Sequence, residues 1–270
     1  MGRVIFSFEV KKNVPANPGH GFSEKQKGFE MTSITSCAHR GASSQAPENT
    51  LAALELALEQ GAAMAEIDIQ QTSDNELVLF HDDNLDRTSN GTGPLWKHTL
   101  EQLKLLDVGM WFSSKFKGEK ILTLEEAVNA MEGRLGLNIE LKLHGNERDL
   151  EKLVAEKLHQ LGCLDWCLVT SFDHETVDRL GRNLPALKAG YIVGKNNWDE
   201  KLLKSWVSVL SLEKSLITAD LVARVHGVGK EVHAWTVNDR QEMIRLKGWG
   251  VDVIISNYPD LAAEVAGSQE

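Results

Sequence analysis

The chain has 270 residues, 42% of them apolar and 25% charged, with a formal net charge of −10. These values exclude disorder, collagen and coiled coil as descriptions of the whole chain. The negative balance argues against bulk nucleic-acid binding but leaves room for a local anion site.

Residues 1–32 stand apart. Gly, Pro, Asn and Lys dominate from Lys11 to Gly28, so this stretch is expected to be a peripheral arm with at most a short strand over Val4–Val10. Apolar runs such as Val4–Phe6 and Val251–Ser256 fall far short of the roughly 18 residues a membrane span needs. Glu9, Lys11 and Lys12 interrupt any signal-peptide core, and Phe6 stands where myristoylation requires Ser or Thr. The expected location is the cytoplasm. The three cysteines, Cys37, Cys163 and Cys167, give neither a disulfide framework nor a paired zinc site, and read as small buried residues.

From residue 33 to 270 one rhythm repeats. Nine runs read as strands: Ile34–Arg40, Ala65–Gln71, Leu77–His81, Leu137–Leu143, Trp166–Phe172, Leu187–Val193, Val207–Leu212, Glu231–Val237 and Val251–Asn257. Between them apolar residues take helical spacing, as in Leu51, Leu54 and Leu58, in Leu150 through Leu161, and in Leu221, Val222, Val225 and Val228. Only Thr72 to Glu76 separate the second run from the third, which is too short for a parallel crossover. The third run must return antiparallel as a hairpin leg. Eight strand–helix units remain, the pattern of a TIM (β/α)8 barrel. Residues 83–120, with Asn90-Gly91, Gly93-Pro94 and Lys115–Lys117, form a small insertion after the second strand. Its Leu95, Trp96, Met110, Trp111 and Phe112 are expected to pack as the insertion's own core rather than as an apolar lip.

Two strands carry charge on one face. Alternation puts Glu66, Asp68 and Gln70 together in one, and Asn138, Glu140 and Lys142 together in the other. In a barrel the aliphatic faces must meet the outer helices, so the charged faces point inward. Carboxylates there are costly to desolvate unless compensated. One divalent cation held by Glu66, Asp68 and Glu140 would compensate them, and all-oxygen ligands suit Mg²⁺ or Ca²⁺. His39 and His81 end strands, and strand C-terminal ends form the functional face of this fold. Two histidines beside a metal make an acid–base pair. Arg40 and Lys142 add positive charge suited to phosphate. Asn49 is the expected N-cap of the first helix. Glu48 is expected to orient Arg40 or to lie near the metal.

His39-Arg40-Gly41, Pro47-Glu48-Asn49-Thr50, Glu66-Ile67-Asp68, Phe80-His81-Asp82 and Asn138-Ile139-Glu140-Leu141-Lys142 occur in this order. They are followed by Ser171-Phe172, Trp235-Thr236-Val237-Asn238, Gly250-Val251-Asp252 and Asn257-Tyr258-Pro259-Asp260. The ordered set, from residue 34 to about residue 265, resembles the glycerophosphodiester phosphodiesterase family. The resemblance implies a TIM barrel with an insertion after the second strand. It implies metal-dependent hydrolysis of glycerophosphodiesters to glycerol 3-phosphate and an alcohol. It also implies Glu66, Asp68 and Glu140 as metal ligands, His39 and His81 as acid and base, Arg40 and Lys142 on the phosphate, and Trp235 beside the glycerol. Asn75 stands where that family often has Gly in the hairpin turn. Rival readings are a lysophospholipase D-type enzyme on the same site, or a non-catalytic phosphate-binding barrel. No feature of the sequence sets the oligomeric state.

Overall fold

The structure, a computed structural model, describes residues 34–268. The expected arm and its strand over Val4–Val10 lie outside the described residues.

β1 (Thr35–His39), β2 (Met64–Gln71), β4 (Gly136–Leu141), β5 (Cys167–Ser171), β6 (Lys188–Val193), β7 (Val209–Glu213), β8 (Glu231–Trp235) and β9 (Val253–Ser256) run parallel. β1 pairs with both β2 and β9, which closes the ring. β3 (Leu77–Leu79) pairs with β2 antiparallel and stands outside the ring. Asn75 turns this hairpin with φ of 68°, a left-handed conformation that Asn tolerates better than most residues. The architecture is the expected TIM barrel.

Helices α1 (Leu51–Glu59), α3 (Leu124–Met131), α4 (Leu150–Leu161), α5 (His174–Asn183), α6 (Ala219–His226), α7 (Arg240–Gly248) and α8 (Pro259–Gly267) surround it. α2 (Leu100–Leu105) belongs to the insertion. Local chemistry sets their ends. Thr123 and Glu126 form a reciprocal capping box at the start of α3. Gly162, at φ of 64°, closes α4, and Pro259 opens α8.

The structure departs from the eight-unit expectation once. β6 is followed by a five-residue 3-10 turn, Glu200–Lys204, rather than an α-helix. The stretch between β6 and β7 opens with Gly194 and two asparagines, which favour turns. α6 also ends earlier than expected. Gly227 caps it, leaving Val228 outside the helix and 49% exposed.

Ala65, Ile67 and Ile69 of β2 pack with Leu137, Ile139 and Leu141 of β4 against Leu54 and Ala57 of α1 and Leu124 of α3. The second half of the outer layer joins β6–β9 to α6, α7 and α8. The strands' alternate residues are therefore committed to the barrel interior. The insertion has its own cluster, in which Leu85, Leu95, Leu103, Val108 and Ile121 pack on Val78 and Phe80. Leu95 meets the expectation of a packed core, but Met110 and Trp111 do not. They are 51% and 40% exposed, held on a loop whose backbone N–H groups at Gly109, Met110 and Gly118 donate to the Asp107 carboxylate.

The three cysteines are buried and free. Among the described residues no helix is long and apolar enough to cross a membrane.

Ile139 is completely buried between barrel and helices. Ile139→Ala should lower the unfolding free energy by about 2–5 kcal/mol through lost burial and a residual cavity. The expected readout is a lower denaturant midpoint at unchanged slope; an unchanged midpoint would contradict the packing.

Candidate active site at the barrel mouth

Strand register assembles the charged cluster. His39 pairs across the β1–β2 ladder with Glu66, and Asp68 pairs across β2–β4 with Glu140. Glu66, Asp68 and Glu140 each offer an oxygen within 4.8 Å of the other two. All three are buried. The inward face expected from alternation is therefore real, and Gln70 shares it, donating to the carbonyls of Phe80 and Asp82.

A cavity of about 180 Å³ opens above this cluster, lined by residues that include His39, Arg40, His81, Lys142, Phe172 and Trp235. All the expected site residues except Asp68 and Glu48 line it directly, and those two sit immediately behind. Trp235 donates its indole N–H to the Ser211 carbonyl and meets Phe172 edge to face, with ring centroids 5.4 Å apart.

Two cations partly balance the three carboxylates. Lys142 Nζ donates to Glu140 Oε1 at 2.7 Å and lies 3.7 Å from Asp68 Oδ1. Arg40 Nε lies 3.3 Å from Asp68 Oδ2, and Arg40 NH1 donates to Glu48 Oε1 at 2.9 Å. Of the two expectations for Glu48, the geometry meets the first: it orients Arg40. The backbone at Arg40 is left-handed, with φ of 60°, and its N–H donates to Glu66 Oε2. Gly41 continues the turn at φ of 79°; a Cβ there would lie 2.7 Å from Ala53, so only glycine lets this loop sit on α1.

The compensation is incomplete. Among the described residues, Glu66 Oε1 and Asp68 Oδ1 are buried without a hydrogen-bond partner. Burial first, then Asp68 and Glu140, pushes the Glu66 carboxyl well above its ordinary range. Burial and Asp68 raise Glu140 to about 7. Burial would also raise Asp68, but Arg40 and Lys142 outweigh it and hold this carboxyl below its usual value. Three converging carboxylates with two orphaned oxygens fit a hard divalent cation; this donor set does not distinguish Mg²⁺ from Ca²⁺.

The histidines are held differently. His39 Nδ1 meets Asn257 Oδ1 at 2.7 Å, and its Nε2 lies 3.9 Å from Glu66. Burial, then Arg40, pushes it down to about 4. His81 Nδ1 meets Asp82 Oδ1 at 2.6 Å. Burial lowers it too, against the pull of Asp68 and Asp82.

Sequence reading missed several members of the site. Asn49 is not the helix cap. Thr50 caps α1 by accepting from the Ala53 N–H. Asn49 is instead buried, left-handed at φ of 58°, with its amide clamped on Asp68: Nδ2 donates to Oδ2 at 2.8 Å and Oδ1 accepts from the Asp68 N–H at 3.1 Å. Asn257 and Phe172 lay in recognised runs without an assigned role. Arg87 carried no signal, being a single arginine in a polar loop. It donates to Glu48 through NH1 and NH2, and to Asp82 through Nε and NH2.

The glycerophosphoryl diester phosphodiesterase family matches residues 39–261 of the chain. A glycerophosphodiester phosphodiesterase of Caldanaerobacter subterraneus subsp. tengcongensis is 36% identical over 236 residues, covering 83% of this chain and 93% of that protein. Among solved structures, an Oleispira antarctica phosphodiesterase in complex with the product sn-glycerol-3-phosphate superposes with a TM-score of 0.78. It is 34% identical, with 87% of this chain and 97% of that chain covered. A glycerophosphodiester phosphodiesterase from Agrobacterium tumefaciens gives a TM-score of 0.75 at 30% identity, with coverage of 86% and 99%.

The raised Glu140 makes a stability prediction. A carboxyl that titrates near 7 when folded and near 4.5 when unfolded stabilises the fold below pH 4.5, and that contribution is lost as pH rises to about 7. Cation-free wild type should therefore lose stability relative to Glu140→Gln across this window. Saturating Ca²⁺ or Mg²⁺ should remove the loss for wild type alone. Thermal melts of both proteins across pH, with and without EDTA, test this; parallel curves would refute the burial of an incompletely compensated Glu140.

Proposed function

The chain belongs to the glycerophosphoryl diester phosphodiesterase family, and on that premise we propose that it hydrolyses glycerophosphodiesters to glycerol 3-phosphate and an alcohol with the help of one divalent cation. The observation that carries this reading is the buried Glu66–Asp68–Glu140 triad beneath two histidines and two cations at one barrel mouth. A solved relative's product complex with sn-glycerol-3-phosphate supports the substrate class.

In this reading Glu66, Asp68 and Glu140 hold the cation, Mg²⁺ or Ca²⁺. When bound, it supplies Lewis-acid polarisation of the phosphoryl oxygens. Arg40 and Lys142 grip the phosphate and stabilise charge developing on its oxygens. Glu48 and Asn49 keep Arg40 and Asp68 in place for this. The Trp235–Phe172 pair forms an apolar wall for the glycerol carbons.

His39 and His81 move the protons. With Nδ1 bonded to Asn257 and Asp82 respectively, each presents Nε2 as its free ring nitrogen. His39 is backed by a neutral amide and lies next to Arg40, so it is suited to remain unprotonated and take the proton from the nucleophile. Burial lowers His81 as well, but the Asp82 carboxylate behind it pulls the other way, so of the two histidines it is the better suited to carry a proton to the leaving alkoxide. The nucleophile is the substrate's own glycerol 2-hydroxyl, giving a cyclic phosphate that water then opens with the histidine roles reversed.

The test is glycerol 3-phosphate release from glycerophosphocholine by EDTA-stripped protein, with and without added Mg²⁺ or Ca²⁺. Release should return with the cation. Absence of release while the cation still binds would overturn the substrate assignment. His39→Ala and His81→Ala should each cut turnover by about two orders of magnitude or more while leaving cation affinity intact; near-normal turnover in either variant would remove that histidine from the pair.

A further inference from the structure

We propose that Arg87, contributed by the insertion, is a positioning residue that sets His81 and Arg40 at once through two carboxylates. The proposal rests on the function just described.

Arg87 does not line the cavity. Its guanidinium lies behind the cavity wall, where two segments distant in sequence approach each other. Nε donates to Asp82 Oδ2 at 2.5 Å and NH2 to Asp82 Oδ1 at 2.9 Å. NH1 donates to Glu48 Oε2 at 2.9 Å and NH2 to Glu48 Oε1 at 2.7 Å. Both carboxylates are thus held two-pronged by one planar group. A lysine cannot reproduce this, because its ammonium is a point charge without the fork.

Each carboxylate faces the site with its remaining capacity. Asp82 Oδ1 meets His81 Nδ1 at 2.6 Å. The hydrogen bonds from Arg87 hold the Asp82 carboxyl well below its ordinary range, so it acts as an acceptor only. The proton of a neutral His81 therefore sits on Nδ1, and Nε2 is directed to the cavity. Glu48 Oε1 accepts in the same way from Arg40 NH1 at 2.9 Å. Without Arg87, Glu48 would keep only Arg40 as a cationic partner and Asp82 only His81, and each carboxylate would be free to turn away from that partner.

The loop carrying Arg87 is fixed by the insertion's own packing. Leu85 is fully buried, Thr88 is 5% exposed, and the Ser89 hydroxyl donates to the Leu85 carbonyl. The insertion thereby becomes part of the reaction apparatus while placing no group inside the cavity. Outer groups of this kind typically change activity by about 10- to 100-fold when lost.

The experiment compares wild type, Arg87→Ala and Arg87→Lys in the cation-loaded glycerophosphocholine assay. Arg87→Ala should lower kcat, through His81, and raise KM, through Arg40, for a combined loss of about 10- to 100-fold. Arg87→Lys should remain impaired. Millimolar guanidinium ion should restore much of the alanine variant's activity, because the vacated position is 45% exposed. A structural role alone would not produce that rescue. Histidine ¹⁵N NMR, with His81→Gln assigning the signal, gives a readout independent of turnover: within the neutral fraction of His81 the Nδ1–H tautomer should dominate in wild type and lose dominance in Arg87→Ala. Unchanged kcat and KM in Arg87→Ala, or loss without guanidinium rescue, would overturn the proposal, as would an unchanged His81 tautomer. A wild type without turnover but with the Arg87-dependent tautomer would count against the assigned reaction and leave the positioning role standing.

Discussion

Three carboxylates buried at one end of a barrel are the constraint from which the rest of this structure follows. Isolated burial of an ionised carboxylate is among the most expensive things a protein can do, and here Glu66, Asp68 and Glu140 crowd within 4.8 Å. Arg40 and Lys142 answer part of that cost, and Asn49 answers another part with a two-pronged amide contact to Asp68. What they leave is informative. Two oxygens find no partner among the described residues, and two of the three carboxyls are driven toward the protonated form. A hydrophobic or neutral cluster would be cheaper, so the arrangement makes physical sense as a seat for a cation.

The same cluster organises its surroundings. Arg40 reaches Asp68 only because the chain turns left-handed at Arg40 and Gly41, and that turn rests on a hydrogen bond to Glu66 and on the missing Cβ of Gly41 against α1. The site thus helps to hold the loop that serves it. On the opposite side, the β2–β3 hairpin carries His81 to the rim, and the insertion packs on Val78 and Phe80 of that hairpin. Hairpin, insertion and first loop meet at Arg87, among the described residues the one guanidinium that touches both Glu48 and Asp82.

The points where sequence reading departed from the structure share a cause. Asn49 sits next to a helix start, and Asn is a good cap, so local logic assigned it there; the cap is Thr50, and Asn49 is spent on Asp68, nineteen residues away. Val228 keeps the helical spacing but follows Gly227, which ends the helix. Met110 and Trp111 are as apolar as the insertion's core residues, yet a loop stapled by Asp107 turns them outward. Periodicity records which residues are compatible with an element. It does not record whether the element continues or which neighbour claims a side chain.

By itself the sequence determined the barrel, the antiparallel hairpin and the inward direction of Glu66, Asp68 and Glu140. These depend on alternation along single strands and on the length of a single connection, which are local properties. Only the tertiary structure decided what each group meets. His39 finds Asn257 across 218 residues, Glu48 turns to Arg40 rather than to the carboxylates, and Arg87 ties the insertion to both. Closure of the ring and docking of the insertion create these contacts, and no pattern along the chain encodes a pairing that exists only after both ends have been brought together.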